Sequence, residues 1–81
     1  MEKRKEARWL RDFGNNLTRL VSERGYESVY SFWLEKGSES FSRSYLNYVV
    51  AGKRNPKATT LVELAELLDV EVTSLFEFKE K

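Results

Sequence analysis

The fifteen residues from Ser42 to Pro56, SRSYLNYVVAGKRNP, restrict the fold of this chain more than any other stretch. Ser42 predicts a helix start, because its hydroxyl can accept from the free backbone N–H groups two or three residues on. Leu46, Val49 and Val50 then fall on one helical face, while Arg43, Ser44, Asn47 and Tyr48 point elsewhere. Gly52 supplies the positive φ that ends such a helix, and Pro56 blocks helix just downstream. The result is a short helix with a polar leading end and a basic trailing corner, Lys53 and Arg54.

The remaining segments read as helices that must pack around it. Leu10, Phe13, Leu17, Leu20 and Val21 recur at spacings of three and four, predicting an amphipathic helix from the first few residues to about Arg24, stopped by Gly25. A second helix is expected from about Ser28 to Lys36, with Val29, Phe32 and Trp33 inward and Gly37 closing it. The segment Gly37 to Phe41 is a turn in which Phe41 plugs the core and Ser38 to Ser40 loop out. After Pro56, a helix from Thr59 or Thr60 to Leu68 buries Leu61, Leu64, Ala65 and Leu68 and turns Glu63 and Glu66 outward. Asp69 tolerates the left-handed cap conformation. Val70, Val72, Leu75 and Phe76 then fill the core or begin an interface.

Eighty-one residues make one domain with a single small core. With 41% hydrophobic and 33% charged residues, the composition is that of a soluble helical protein rather than a disordered tail. The chain has neither cysteine nor histidine. Disulfides, thiolate chemistry, the common metal ligands and the usual neutral-pH general base are therefore absent, and no enzyme activity, metal or cofactor is expected. No apolar run approaches the ~20 residues that span a bilayer. MEKRKEARWLRDF lacks the apolar centre of a secretory signal, so the reading is cytoplasmic. A net charge of +1 conceals an asymmetry. Residues 1–54 carry eleven Lys or Arg against seven Asp or Glu, a balance of +4, and residues 55–81 carry three against six, a balance of −3.

The stretch Ser42 to Pro56 closely resembles the recognition helix and following turn of the Cro/CI-type (lambda-repressor-like, XRE-family) helix-turn-helix proteins, whose members often read S-R-S-Y-L-S-x-I-E-x-G-K-R-N-P. The resemblance extends more loosely from about Phe13 to Phe76, through TLVELAELLDVEVTSLF. It implies an all-α, five-helix lambda-repressor-like bundle occupying residues 1–81, with a basic helical extension over 1–12 and a short tail over 77–81. It also implies a sequence-specific binder of double-stranded DNA, a transcriptional regulator acting as a repressor that occupies an inverted repeat as a homodimer, with its third helix in the major groove.

Carried over residue by residue, the resemblance makes Arg43, Ser44, Asn47 and Tyr48 base-contacting. Arg43 can bind guanine O6 and N7, and Asn47 adenine N6 and N7; Ser44 suits a base or a phosphate, and Tyr48 a thymine methyl or a phosphate. Phosphate contacts are implied for Ser28, Ser42, Lys53, Arg54 and Asn55, with the Asn55 amide also capping its turn. The ring of Tyr45 lies either outward or against the second helix.

Three departures from the family pattern stand out. Val29 replaces the Gln that family members place at the start of the second helix to bind a phosphate, leaving Ser28 or Ser31 to do so. The turn after Gly37 is about three residues longer than usual, which is either a neutral insertion or one that changes the angle between the helices or touches DNA or a partner. Family members also pair a buried Arg in the first helix with a Glu at the end of the third; here Asn16 and Val50 occupy those positions, so both charges are absent together and an apolar contact is expected.

Other assignments stay two-sided. Lys3, Arg4, Lys5, Arg8 and Arg11 are either a basic arm on the DNA backbone or a solvated helix end with local Glu and Lys pairs. Trp9 reads as packing. Phe76 and Phe78 are candidates for a dimer interface or for packing within the chain. The rival function is a protein-interaction module, an antitoxin or adaptor with a toxin or regulator as partner, using Trp9, Trp33, Tyr26, Tyr30 and Phe78. No membrane or small-molecule partner is evident.

Overall fold

The computed structural model describes residues 3–78, with side chains described from Ala7 onward. Among these residues every element is helical. α1 spans Lys3–Glu23 without a break, so residues 3–12 are the first half of this helix rather than a separate extension. α2 spans Val29–Phe32 and passes directly into a π-helical turn, Trp33–Gly37. α3 spans Arg43–Val50 and α4 spans Ala58–Leu68. The chain then makes one 3-10 turn, Val72–Phe76, where a fifth helix was expected. Glu71 provides no side-chain cap there, and five residues are too few to sustain an α-helical hydrogen-bond ladder.

Three helices end on a left-handed residue. Gly25 (φ 96°) and Gly52 (φ 77°) take the conformation that a Cβ disfavours, and Asp69 (φ 58°) adopts it as the sole described residue other than Gly. After Gly52 the N–H of Lys53 donates to the Tyr48 carbonyl at 2.8 Å and that of Gly52 to Val49 at 3.1 Å. This paired closure satisfies two of the helix's free carbonyls and fixes how the chain leaves α3.

The stripe on α1 behaves as its spacing predicts from Phe13 onward, while Leu10 is only half-buried. Phe13, Leu17, Leu20 and Val21 are buried, and meet Phe32 from α2, Phe41 from the turn, Leu46 and Val49 from α3, Leu64, Ala65 and Leu68 from α4, and Leu75 from the 3-10 turn. α1 and α3 approach closely because Gly14 has no side chain. A Cβ placed there would lie 2.0 Å from the Val50 carbonyl oxygen, and one on Gly52 would lie 3.0 Å from Arg11 Cα. The expectation that Asn16 and Val50 form an apolar substitute for an ion pair is corrected by this arrangement. Gly14 is the α1 residue beneath Val50. Asn16 is buried yet remains polar, and its amide donates to the carbonyls of Ser74 at 3.1 Å and Leu75 at 2.8 Å.

Asn16 therefore ties the 3-10 turn to α1 across almost the whole chain. Beside it, Trp9 stacks on Phe13 at 5.5 Å between centroids and on Phe76 at 5.8 Å, and meets Phe78 edge-on at 5.9 Å. Phe76 and Phe78 thus pack within the chain. Trp9 (40%) and Phe76 (38%) nevertheless stay partly exposed. Lys79, Glu80 and Lys81 of the expected tail lie outside the described residues.

Candidate nucleic-acid interface

α3 begins as the sequence implies: the Ser42 hydroxyl accepts from the Tyr45 N–H at 3.1 Å. That contact uses an oxygen lone pair and leaves the Ser42 O–H free to donate outward. With Leu46 and Val49 buried beneath, the residues Arg43, Ser44, Asn47 and Tyr48 all lie on the exposed side of α3. Their donors and acceptors point to solvent from one short, firmly seated helix.

Two arginines flank this row, both against tyrosines. The Arg43 guanidinium lies over the Tyr30 ring of α2, with Cζ 4.5 Å from the centroid. Past the other end of α3, the Arg54 Cζ lies 5.9 Å from the Tyr45 ring and 5.8 Å from that of Tyr48. Facing an aromatic ring engages the face of a guanidinium and leaves its N–H donors, which lie in the plane, available. Lys53 and Asn55 are also exposed. The expected Asn55 cap is not formed: its amide has no protein hydrogen-bond partner among the described residues, and the turn is instead closed through Gly52 and Lys53.

Tyr45 resolves in a direction the sequence left open. Its hydroxyl reaches the start of α4, 3.1 Å from the Thr60 hydroxyl, and accepts from the Lys57 N–H at 3.4 Å. Thr60 is buried, so this contact satisfies a polar group that would otherwise be stranded. It also braces the segment carrying Lys53 and Arg54 between two helices.

Ser28 stands at the start of α2, separated in sequence from the α3 row. Its hydroxyl accepts from the Ser31 N–H at 3.0 Å and sits 3.1 Å from the Ser31 hydroxyl, so both serines named as substitutes for the missing Gln belong to one cap.

The long turn is held rather than loose. The Gly37 carbonyl accepts from the N–H groups of both Ser40 and Phe41 at 2.9 Å. Across the same turn, the Trp33 indole Nε1–H donates to the Phe41 carbonyl at 2.8 Å. Phe41 is buried and Ser38, Glu39 and Ser40 are exposed, as the sequence implies. The π-helical winding of Trp33–Gly37 has no counterpart in the periodicity of the sequence, which reads as one α-helix through Lys36.

The basic residues of α1 divide. Arg8 and Arg11 are exposed, whereas the side chains of Lys3, Arg4 and Lys5 lie outside those described. The aromatic residues assigned to a protein-binding surface take up different partners. Trp9 joins Phe13, Phe76 and Phe78; Tyr30 stacks with Trp33; Tyr26 meets Phe32 edge-on at 5.3 Å.

Among the described residues no group of side chains is arranged to hold a metal ion, and no helix is long and apolar enough to cross a membrane. In a comparison with protein families, the model described as helix-turn-helix, of the Cro/CI type, matches residues 36–75, from the end of the π-helical turn to the terminal 3-10 turn. Searches of curated proteins and of solved structures returned no match.

Proposed function

We propose, from the match of residues 36–75 to the helix-turn-helix family, that this chain is a DNA-binding regulator of the Cro/CI type that represses transcription by occupying an inverted-repeat operator as a homodimer. The observation that carries this reading is the exposed row Arg43, Ser44, Asn47 and Tyr48 on the outer side of a helix whose inner side is buried. Arg43 is assigned to guanine and Asn47 to adenine in the major groove, with Ser44 and Tyr48 completing the base-facing set. Lys53 and Arg54 neutralise phosphates beside the groove, and the free O–H of Ser42, the capped start of α2 at Ser28, and Asn55 supply neutral contacts to the backbone.

One such helix reads only a few base pairs. Two-fold pairing adds a second helix roughly 34 Å away, one turn of the duplex, which makes the site an inverted repeat. The partly exposed rings of Trp9 and Phe76, with Phe78 beside them, are the surface assigned to that pairing. Occupancy of a promoter suffices for repression, whereas activation requires a dedicated polymerase contact.

The test is selection of bound duplexes from a random pool, followed by titration of the winner at several salt concentrations. An enriched inverted repeat is the expected result. With Lys53 and Arg54 of two protomers releasing counterions, log K should fall against log salt with a slope of roughly −3 to −4. Weak binding to every duplex without enrichment would refute the proposal and direct attention to a protein partner.

A further inference from the structure

A continuous line of contacts runs from the long turn through α2 to the leading arginine of α3. The Phe41 carbonyl accepts from the Trp33 indole at 2.8 Å. The Trp33 ring stacks on Tyr30 with centroids 6.1 Å apart and planes 26° apart. Tyr30 in turn lies under the Arg43 guanidinium at 4.5 Å. Among the described residues no carboxylate pairs with Arg43 and no hydrogen bond occupies its N–H groups.

We propose that Tyr30 is a positioning residue that sets base specificity through Arg43. The inference rests on the assignment of Arg43 as a base reader and deepens it. A long arginine side chain at the exposed start of a helix has many rotamers, and most of them direct the fork at solvent or at a phosphate. Stacking on Tyr30 removes many of these before DNA arrives, while the in-plane donors remain free for O6 and N7 of a guanine. Trp33 stacks on the Tyr30 ring as well, and the bond from Trp33 to Phe41 ties that stack to the turn that leads into α3. The added turn residues thereby belong to the reading apparatus: the turn that contains them presents α2 as a platform for the first residue of α3.

The experiment uses the selected operator and a duplex altered only at the base pair read by Arg43, titrated with the full chain and with Tyr30→Phe, Tyr30→Leu, Arg43→Ala and the double variant Tyr30→Leu/Arg43→Ala. Tyr30→Phe keeps the ring and should keep the full discrimination. Tyr30→Leu should lose about two- to fivefold of it, the range expected when an exposed cation–ring contact is removed, with discrimination at other base pairs intact. In the Arg43→Ala background the same change should have no effect on discrimination. In the free protein, the Arg43 Hδ resonances should lie upfield from ring shielding, remain there in Tyr30→Phe and return to ordinary positions in Tyr30→Leu. If Tyr30→Leu does not fold, Tyr30→Gln supplies the variant without a ring.

Full discrimination in Tyr30→Leu, with loss in Arg43→Ala, would overturn the role of Tyr30 and leave Arg43 as the reader. Unchanged discrimination in Arg43→Ala would overturn both. A loss in Tyr30→Leu that is equal at every base pair, persists without Arg43, or appears also in Tyr30→Phe would assign Tyr30 a structural or hydroxyl-based task and refute the proposal.

Discussion

Replacing Gly14 with Ala should destabilise the domain, against the ordinary effect of that change inside a helix. Ala is favoured over Gly in a helix interior by about 1 kcal/mol, so an unobstructed site would gain stability. Here the new methyl would lie 2.0 Å from the Val50 carbonyl oxygen, 2.8 Å from its carbon and 3.2 Å from the Val49 oxygen. All three are backbone atoms, so no side chain can swing aside. Restoring even a 3.0 Å separation requires the helices to part by about 1 Å, and a gap of that size forfeits a quarter to a half of the dispersion energy of the atoms facing it. The end of α3 cannot yield freely, since Gly52 is closed against Arg11 and its N–H is held by Val49.

Overpacking in a dense core costs roughly 1–3 kcal/mol, and an obstruction made of backbone belongs at the top of that range. After the helix-propensity gain the net loss is about 2 kcal/mol. For a domain of this size that corresponds to a fall in Tm of roughly 8–16 °C. Thermal unfolding followed by circular dichroism at 222 nm measures it. Amide exchange at Ala51, Gly52 and Lys53 should quicken in the same variant, because the strain falls on the end of α3. An unchanged or higher Tm would show that α1 and α3 do not approach through Gly14 and would refute the reasoning.

Four further outcomes are expected. Asn16→Leu leaves the Ser74 and Leu75 carbonyls without their donor and should cost about 2 kcal/mol, read from the urea midpoint. Trp33→Phe keeps the ring but removes the bond to Phe41; it should cost about 1 kcal/mol and speed amide exchange at Ser40 and Phe41. Lys53→Ala should weaken binding to all duplexes alike and reduce the salt slope of a dimer by about 2, whereas Arg43→Ala should cost roughly 1–3 kcal/mol at one base pair per half-site. Selection from a random pool separates those two patterns.

The parts of this fold that could be read in advance are those encoded by local backbone chemistry. Ser42 and Gly52 bracket α3 because a hydroxyl and a missing Cβ act within one helical turn. Asp69 was legible for the same reason. The exposed row on α3 followed from helical periodicity once Leu46 and Val49 were assigned inward. What escaped depends on residues distant in the chain. The partners of Asn16 lie 58 and 59 positions away, and no pattern within α1 reveals them. Gly14 is an isolated glycine in a helical stripe, a signal of close approach that does not say which element approaches. The placement of Arg43 over Tyr30 likewise joins elements whose relative angle only the folded turn determines.

The clasp between α1 and the 3-10 turn also orders events while the chain is being made. Domains emerge from the ribosome N-terminal end first. α1, α2 and α3 are therefore all available before Leu75 and Phe76 appear. Until residues 74–78 have emerged, Phe13 lacks one of the two rings packed on it, Asn16 lacks both its acceptors, and the part of the α1 face that meets Leu75 has no cover. α3 and its seat on α1 are synthesised early, but the clasp on α1 closes late. The finished fold thus waits on the 3-10 turn, and a nascent chain halted before Leu75 would hold an α1 with Asn16 unsatisfied and the Phe13 ring short of one partner.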